Sequence, residues 1–448
     1  MSQKEPVEAS ARFEAGGTRA ATGAGKALAS LRTSPGFRLL WVSNLFFYGG
    51  AWTQTLVMGW LVFDTTGSEF LLAVFTAVRL APMLLGPFAG VLCDRYDRVR
   101  LLMIACLWAL GAVVVVAVMA SFGQVSYGAL VAGGLAIGLA QSPSQPPRAS
   151  LVLDLVGREN LSNANALNAL AMNMTQVIGP AIGGAMISSF GAPTALWIST
   201  AWYVVSLAAL WPLRGVGHTA PGRPEPVLKM LTSGFRTVLT SRLAAAVLLV
   251  TLAANVLLWP VHQAFMPVFA EVLGLDAAGL GWLLTCGGLG GLAGSLVIAM
   301  LGDFKFKGGL FVIGTAAWGA LWSMFALSRT VPLSFALMAC IGLMSASFGV
   351  LQTTLLLMTT EPEVRGRALG LQELAIGVMP FASLGLGAAA QAVGVGATAF
   401  LSGILLVAVL LTLAARVPQL LRYSGVNVPG QAGAGRTALR QRRTGMTS

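Results

Sequence analysis

Between Phe37 and Arg416 the chain is a succession of apolar segments, most of them about eighteen residues or longer, separated by short polar or charged stretches. Segments of that length and composition match the hydrocarbon thickness of a bilayer. Of the 448 residues, 56% are hydrophobic and 10% are charged, whereas a soluble domain carries about 25% charged residues. Too little polar surface is left to cover a water-soluble fold. The 54 glycines suit closely packed membrane helices, and the short alternating strands of a membrane β-barrel are not found. The expected fold class is an all-α polytopic membrane protein.

The same composition argues against an enzyme. Cys93, Cys106, Cys286 and Cys340 stand singly, with no C-x-x-C pair, so neither a disulfide framework nor a zinc site is expected. With His218 and His262 as the two histidines, a histidine-based metal or hydrolytic centre has almost no ligands to draw on. The run Ala20-Ala21-Thr22-Gly23-Ala24-Gly25-Lys26-Ala27 lacks the first glycine and the closing Ser/Thr of a phosphate loop, and no strand precedes it. No cofactor, no metal and no ATP site are expected.

Spans are expected near 37–63, 69–93, 101–121, 126–147, 163–189 and 194–213, then near 243–270, 278–302, 309–328, 331–358, 367–393 and 396–416. That gives twelve transmembrane helices in two six-helix bundles, 37–213 and 243–416. A disordered tail over 1–36, a polar linker over 214–242 and a basic tail over 417–448 complete the domain plan. With both termini in the cytoplasm, 26 of the 28 Lys and Arg fall on the cytoplasmic side, leaving Arg79 inside a helix and Arg329 outside. The positive-inside rule therefore sets the orientation. The net charge of +12 is read as topology and attraction to anionic lipid headgroups, not as nucleic-acid binding.

The two halves repeat one another. Asp94 and Arg98 follow the second span as Asp303 and Lys307 follow the eighth; Asp154 and Arg158 follow the fourth as Glu361 and Arg365 follow the tenth. Gly183 in the fifth span has Gly387 in the eleventh as its counterpart. Parallel halves related by an axis along the membrane normal mark a two-bundle transporter with its site between the halves.

The stretch Gly90-Val91-Leu92-Cys93-Asp94-Arg95-Tyr96-Asp97-Arg98-Val99-Arg100 resembles the cytoplasmic signature of the major facilitator superfamily, with Asp97 where that signature has Gly. Trp60, Thr66-Gly67-Ser68, Pro147-Arg148, Asn163-Ala164-Asn165-Ala166, Gly179-Pro180 and Gly366-Arg367 extend the resemblance toward the branch that holds the enterobactin exporter and macrolide-efflux proteins. The resemblance implies the major facilitator fold. It also implies a gating motif made of Gly90, Asp94, Arg95, Arg98 and Arg148, with Asp303 and Lys307 in the second half. The segment Gly179-Pro180-Ala181-Ile182-Gly183-Gly184 is similar to the end of the antiporter signature and implies a helix bend used by exporters, although Thr175 and Ala166 replace its upstream glycines. The antiporter subgroup also carries an Arg inside the fourth span, and none stands between Val125 and Pro147, so proton coupling by that route is in question.

Arg79 and Glu373 are charged residues inside expected helices, where an ionised side chain is costly and usually has a role or a partner. They are the candidates for coupling. Their alternatives are a structural charge on backbone carbonyls for Arg79 and an interfacial carboxylate near Arg365 or Arg367 for Glu373. Polar and aromatic residues at helical spacing give the candidate substrate cavity: Asn44, Tyr48, Gln141, Asn255, Trp259, His262 and Gln352. Interhelical hydrogen bonding, or plain packing for His262, is the competing reading. The expected function is secondary active transport: export of a hydrophobic drug-like or siderophore-like small molecule by alternating access, driven by protons, in a monomer embedded in the cell membrane. Import or lipid transport on the same fold is the nearest rival, and a non-transporting scaffold or sensor is the rival of another class.

Overall fold

The protein is described by a computed structural model, which covers residues 29–85, 96–216, 241–301, 304–360 and 365–424. Gly90, Asp94, Arg95 and Asp303 of the expected gating motif lie outside the described residues, as does most of the linker and of both tails.

The chain opens with α1 (Ala29–Thr33), α2 (Pro35–Thr66) and α3 (Glu69–Leu80), which runs on into a 3₁₀ turn. Then come α4 (Arg98–Ser121), α5 (Tyr127–Gln141) and the long α6 (Gln145–Leu210). The later chain forms α7 (Arg242–Leu257), α8 (Trp259–Ala264), α9 (Met266–Val272), α10 (Ala277–Leu301), α11 (Lys307–Leu327) and α12 (Val331–Thr359). It closes with α13 (Arg365–Gly377), α14 (Met379–Val393), α15 (Val395–Arg416) and α16 (Pro418–Leu421). No strand occurs among the described residues. Eight helical stretches among them are long and apolar enough to cross a membrane.

Local chemistry sets the helix ends. The Ser34 hydroxyl accepts from the Phe37 N–H at the start of α2, where Pro35 supplies a preset φ. Gly67, at φ 57°, turns the chain between α2 and α3. Asp97, the residue that departs from the family signature, caps α4 by accepting from the Arg100 N–H at 2.8 Å. Within α6 the backbone leaves helical geometry at Gly157 and Gly191, both with positive φ.

The span read as 126–147 passes from α5 through a 3₁₀ turn at Ser142–Ser144 into α6, and two further expected spans divide at prolines. The stretch read as 243–270 is divided into α7, α8 and α9, and that read as 367–393 into α13 and α14. The cause is Pro260, Pro267 and Pro380, each near the start of the next segment, where a proline lacks the N–H and crowds the preceding turn. Irregular backbone at membrane depth is tolerated where protein or a cavity surrounds it.

The tail boundaries also shift. Residues 29–36 are helical and docked, since the Ser30 N–H donates to Asn163 Oδ1 and its hydroxyl to the Asn160 carbonyl. At the other end Tyr423 donates to the Met358 carbonyl, and the Gly308 N–H donates to the Tyr423 carbonyl, so 417–424 packs against α11 and α12.

Small residues bring the helices together. A Cβ on Gly49 would sit 2.6 Å from the Trp202 ring, so α2 lies directly on α6. Gly287, Gly290 and Gly294 of α10 face Met338, Ala339, Gly342 and Leu343 of α12 in the same way. The first half packs α2 and α4 on α6, and the second packs α10 and α11 on α12 and α15 on α11. The halves meet along two seams, α6 with α10 and α3 with α14.

Candidate functional site

Where the halves meet, a cavity of about 80 Å³ opens between α2 and α6 on one side and α8 to α12 on the other. Trp52, Thr55, Gln176 and Pro180 supply the first half of its wall; Trp259, His262, Gln263, Met266, Trp318 and Ser345 are prominent in the second. The break between α7 and α8 is what turns Trp259 and His262 inward. His262 stands edge-on to Trp259 at 5.8 Å and to Trp322 at 6.0 Å, and Trp259 in turn meets Trp318 at 5.7 Å. Such T-shaped contacts favour a fixed aromatic wall. Among the described residues, no acidic side chain lines this cavity.

Above the cavity, toward the end remote from the termini, the α6–α10 seam is tight. A Cβ on Gly184 would fall 2.5 Å from the Ala277 carbonyl, and one on Gly281 2.6 Å from the Pro180 carbonyl. Thr285 donates to the Val177 carbonyl, and at the rim the Ser188 hydroxyl donates to Asp276 Oδ2 at 3.0 Å while accepting from the Ala278 N–H. Asp276 also accepts from the Gly279 N–H. These bonds hold its carboxyl below the ordinary carboxylate range, the Gly279 N–H contributing most and Ser188 next. Through 179–184, where a bend is expected, φ/ψ stays helical; Gly179 and Gly183 pack on α2, while Pro180 and Gly184 form the seam with α10.

Arg79, at the end of α3, is 7% exposed, and its Nη2 donates to Thr55 Oγ1 at 2.6 Å. Thr55 is itself part of the cavity wall. Arg148 is buried inside the first half. It donates to Asn44 Oδ1 and Ser43 Oγ and lies over the Phe47 ring at 4.2 Å. Arg98 forms an ion pair with Asp154, which joins the start of α4 to α6. Lys307 is buried at the start of α11. Glu373 is exposed one turn before Gly377, whose Cα faces Leu84 of the 3₁₀ turn after α3. It thus stands between the halves at the end that carries the termini.

The structure divides the expected cavity residues. Trp259 and His262 are on the wall. Asn44 bonds Asn168 and Arg148, and Tyr48 donates to Gln145, both within the first half. Asn255 donates to the Thr251 carbonyl of its own helix. Gln141 and Gln352 are off the wall, each with a buried amide atom that has no hydrogen-bond partner among the described residues. Trp52, Gln176, Gln263 and Trp318 are wall residues that sequence reasoning passed over. Gln263 follows His262 directly, and Gln176 lies one turn before Pro180; both were within reach of a helical-face argument.

The family model described as "Transmembrane secretion effector" matches residues 25–427, and the chain belongs to this family of major facilitator transporters. It is 27% identical over 349 residues to the multidrug efflux pump Tap of Mycolicibacterium fortuitum, covering 76% of this chain and 85% of that protein. It is also 27% identical over 349 residues to the enterobactin exporter EntS of Shigella boydii serotype 4, covering 77% of this chain and 82% of the other. Among solved structures, the peptide transporter POT in complex with sulfate superposes with a TM-score of 0.70 at 12% identity, covering 87% of this chain and 95% of that one. A bacterial homologue of the human lysosomal transporter Spinster, inward-facing and unoccupied, superposes with a TM-score of 0.63 at 14% identity, covering 88% and 98%. The protein is therefore a multi-pass membrane transporter of small molecules and not an enzyme.

Proposed function

We propose that the chain is a twelve-helix secondary transporter of two six-helix bundles that exports a hydrophobic drug-like or siderophore-like molecule in exchange for protons. It works as a monomer in the cell membrane with both termini in the cytoplasm. The observation that carries this reading is the aromatic cavity between the halves, sealed on the side remote from the termini by the α6–α10 seam. With cytoplasmic termini, that arrangement turns the cavity inward, the state in which an exporter loads and an importer releases, and the direction rests on the relatives. Release outside requires the seam to part and the halves to rock about the cavity. The relatives' roles, drug efflux and enterobactin export, support outward transport.

Protons enter through Glu373. It is a carboxylate between the halves, at the end that carries the termini, and changes surroundings as access alternates: open to water while the termini side is open, enclosed when α13 closes on the end of α3. A carboxylate alternating between such surroundings binds a proton in one and loses it in the other. Gly90, Asp94, Arg95, Arg98 and Arg148, with Asp303 and Lys307 in the second half, gate the termini side. The test is accumulation of ethidium, Nile red and fluorescein (loaded as its diacetate) in cells with and without the protein. Export predicts less of at least one dye in expressing cells and loss of the difference on adding a protonophore. Equal accumulation of all three, or higher accumulation in expressing cells, contradicts it.

A further inference from the structure

We propose that the cavity selects organic anions, with Arg79 as the residue that answers the ligand's negative charge; the inference rests on the export reading above and narrows its substrate class. Three observations converge. Arg79 is nine-tenths buried in the last turn of α3, and among the described residues its hydrogen-bond partner is one hydroxyl, that of Thr55. A guanidinium has five N–H donors, so a single neutral acceptor leaves most of its bonding capacity and all of its charge to be met by something else. Thr55 stands on the cavity wall, which places that charge directly behind the wall.

The wall itself is short of acceptors for a cation. Among the described residues no Asp or Glu lines it, and its polar members, Thr55, Gln176, His262, Gln263 and Ser345, are neutral or able to donate. Trp318 also lines it, 2% exposed, with its indole N–H buried and unpartnered among the described residues. Indole is a donor only, and a buried donor without a partner is a standing penalty that a ligand acceptor relieves. Nearby in the first half the Gln54 amide nitrogen is likewise buried without a partner, while its oxygen accepts from Tyr203. A lipophilic cation would meet no carboxylate on this wall, only aromatic faces, and would be repelled by the Arg79 charge behind it. Once the halves part enough to widen the cavity beyond its 80 Å³, an aromatic or acyl carboxylate, sulfonate or phenolate would stack on Trp52, Trp259 and Trp318, accept from the Trp318 indole and be drawn to Arg79.

The test compares fluorescein, an anion at neutral pH, with the cation ethidium, in cells carrying the native chain, Arg79→Lys or Arg79→Gln. The purified variants are checked for unchanged melting in detergent. The native chain should lower cell fluorescein and leave ethidium unchanged or less affected. Arg79→Gln should reduce fluorescein export by about tenfold or more, the loss of one charge-assisted bond, and Arg79→Lys should retain part of it. Binding of fluorescein to the purified native protein, read by anisotropy, should weaken in the same order. Fluorescein export by Arg79→Gln at the native rate, or ethidium export with no fluorescein export by the native chain, overturns the anion assignment while leaving transport intact. If Arg79→Gln melts early, the binding comparison rests on Arg79→Lys: fluorescein affinity that falls while ethidium affinity does not supports the proposal, and fluorescein affinity at the native value overturns it. Export of no dye at all removes the transport reading, and this assignment with it.

Discussion

Replacing Gly184 by Ala adds a single methyl at the tightest point of the seam between the halves. Its Cβ would lie 2.5 Å from the Ala277 carbonyl oxygen and 2.9 Å from the Gly281 Cα, against 3.4 Å for the start of ordinary contact. Both obstacles are backbone, so no side chain can swing aside, and α6 and α10 must separate by several tenths of an ångström. Overpacking of this kind costs about 1–3 kcal/mol. The penalty falls only on the arrangement in which the seam is closed, because Gly184 meets the other half and not its own. A penalty confined to one state shifts the balance between states by about fivefold to 150-fold. The readout is a cysteine at Thr285, buried in the seam beside Val177, placed in a chain with Cys93, Cys106, Cys286 and Cys340 changed to Ser. A membrane-impermeant maleimide added from outside should label Thr285→Cys about five times faster or more when Gly184→Ala is present, with little change in melting temperature. Equal labelling with and without Gly184→Ala would refute the claim that this seam is the closed gate.

Three further outcomes are expected. Glu373→Gln should abolish gradient-driven export while downhill exchange of substrate survives, measured in membrane vesicles with and without an imposed pH difference. Asp94→Asn should cut transport while expression and membrane insertion stay near normal, because the residue acts on the gate and not on the fold. Asp276 titrates below the ordinary carboxylate range in the closed seam, so its contribution to closure is complete at neutral pH and is lost as pH falls through that depressed value; the distance between spin labels attached at the exposed positions Phe190 and Val272, on either side of the seam, should lengthen when the outside medium is taken below about pH 4, and Asp276→Asn should flatten that dependence.

The helices and their order were legible because a bilayer imposes one demand on every span, length with low charge, that composition answers directly. The turn between the first two spans at Gly67-Ser68 was equally readable, since capping is a local matter, whereas the cap at Ser34 was not, because the residues before 37 read as tail. The breaks near Pro260, Pro267 and Pro380 were not placed, because a proline inside an apolar segment marks a weak point without saying whether neighbouring helices restore the lost bond. The site was legible in part. Trp259 and His262 reach the wall because they share a face of α8 just past the break, whereas Asn44, Tyr48 and Asn255 satisfied the same periodicity and turned to partners within the bundle. Polar residues in a membrane helix seek the nearest acceptor or donor, and which one lies nearest is a tertiary fact. Trp52 and Trp318 escaped notice because an aromatic residue in an apolar helix has the same sequence signature on a lipid face, in a core or on a cavity wall.

Proton-coupled movement of substrate through the cavity is tested most directly with purified protein in sealed proteoliposomes that contain the pH-reporting dye pyranine. Imposing a gradient of fluorescein, with no initial pH difference, should change the internal pH as fluorescein crosses, in the direction of opposite proton movement, and Glu373→Gln should pass fluorescein downhill with no pyranine response. Fluorescein movement by the native chain with no pyranine response, or identical responses from the native chain and Glu373→Gln, would contradict the account.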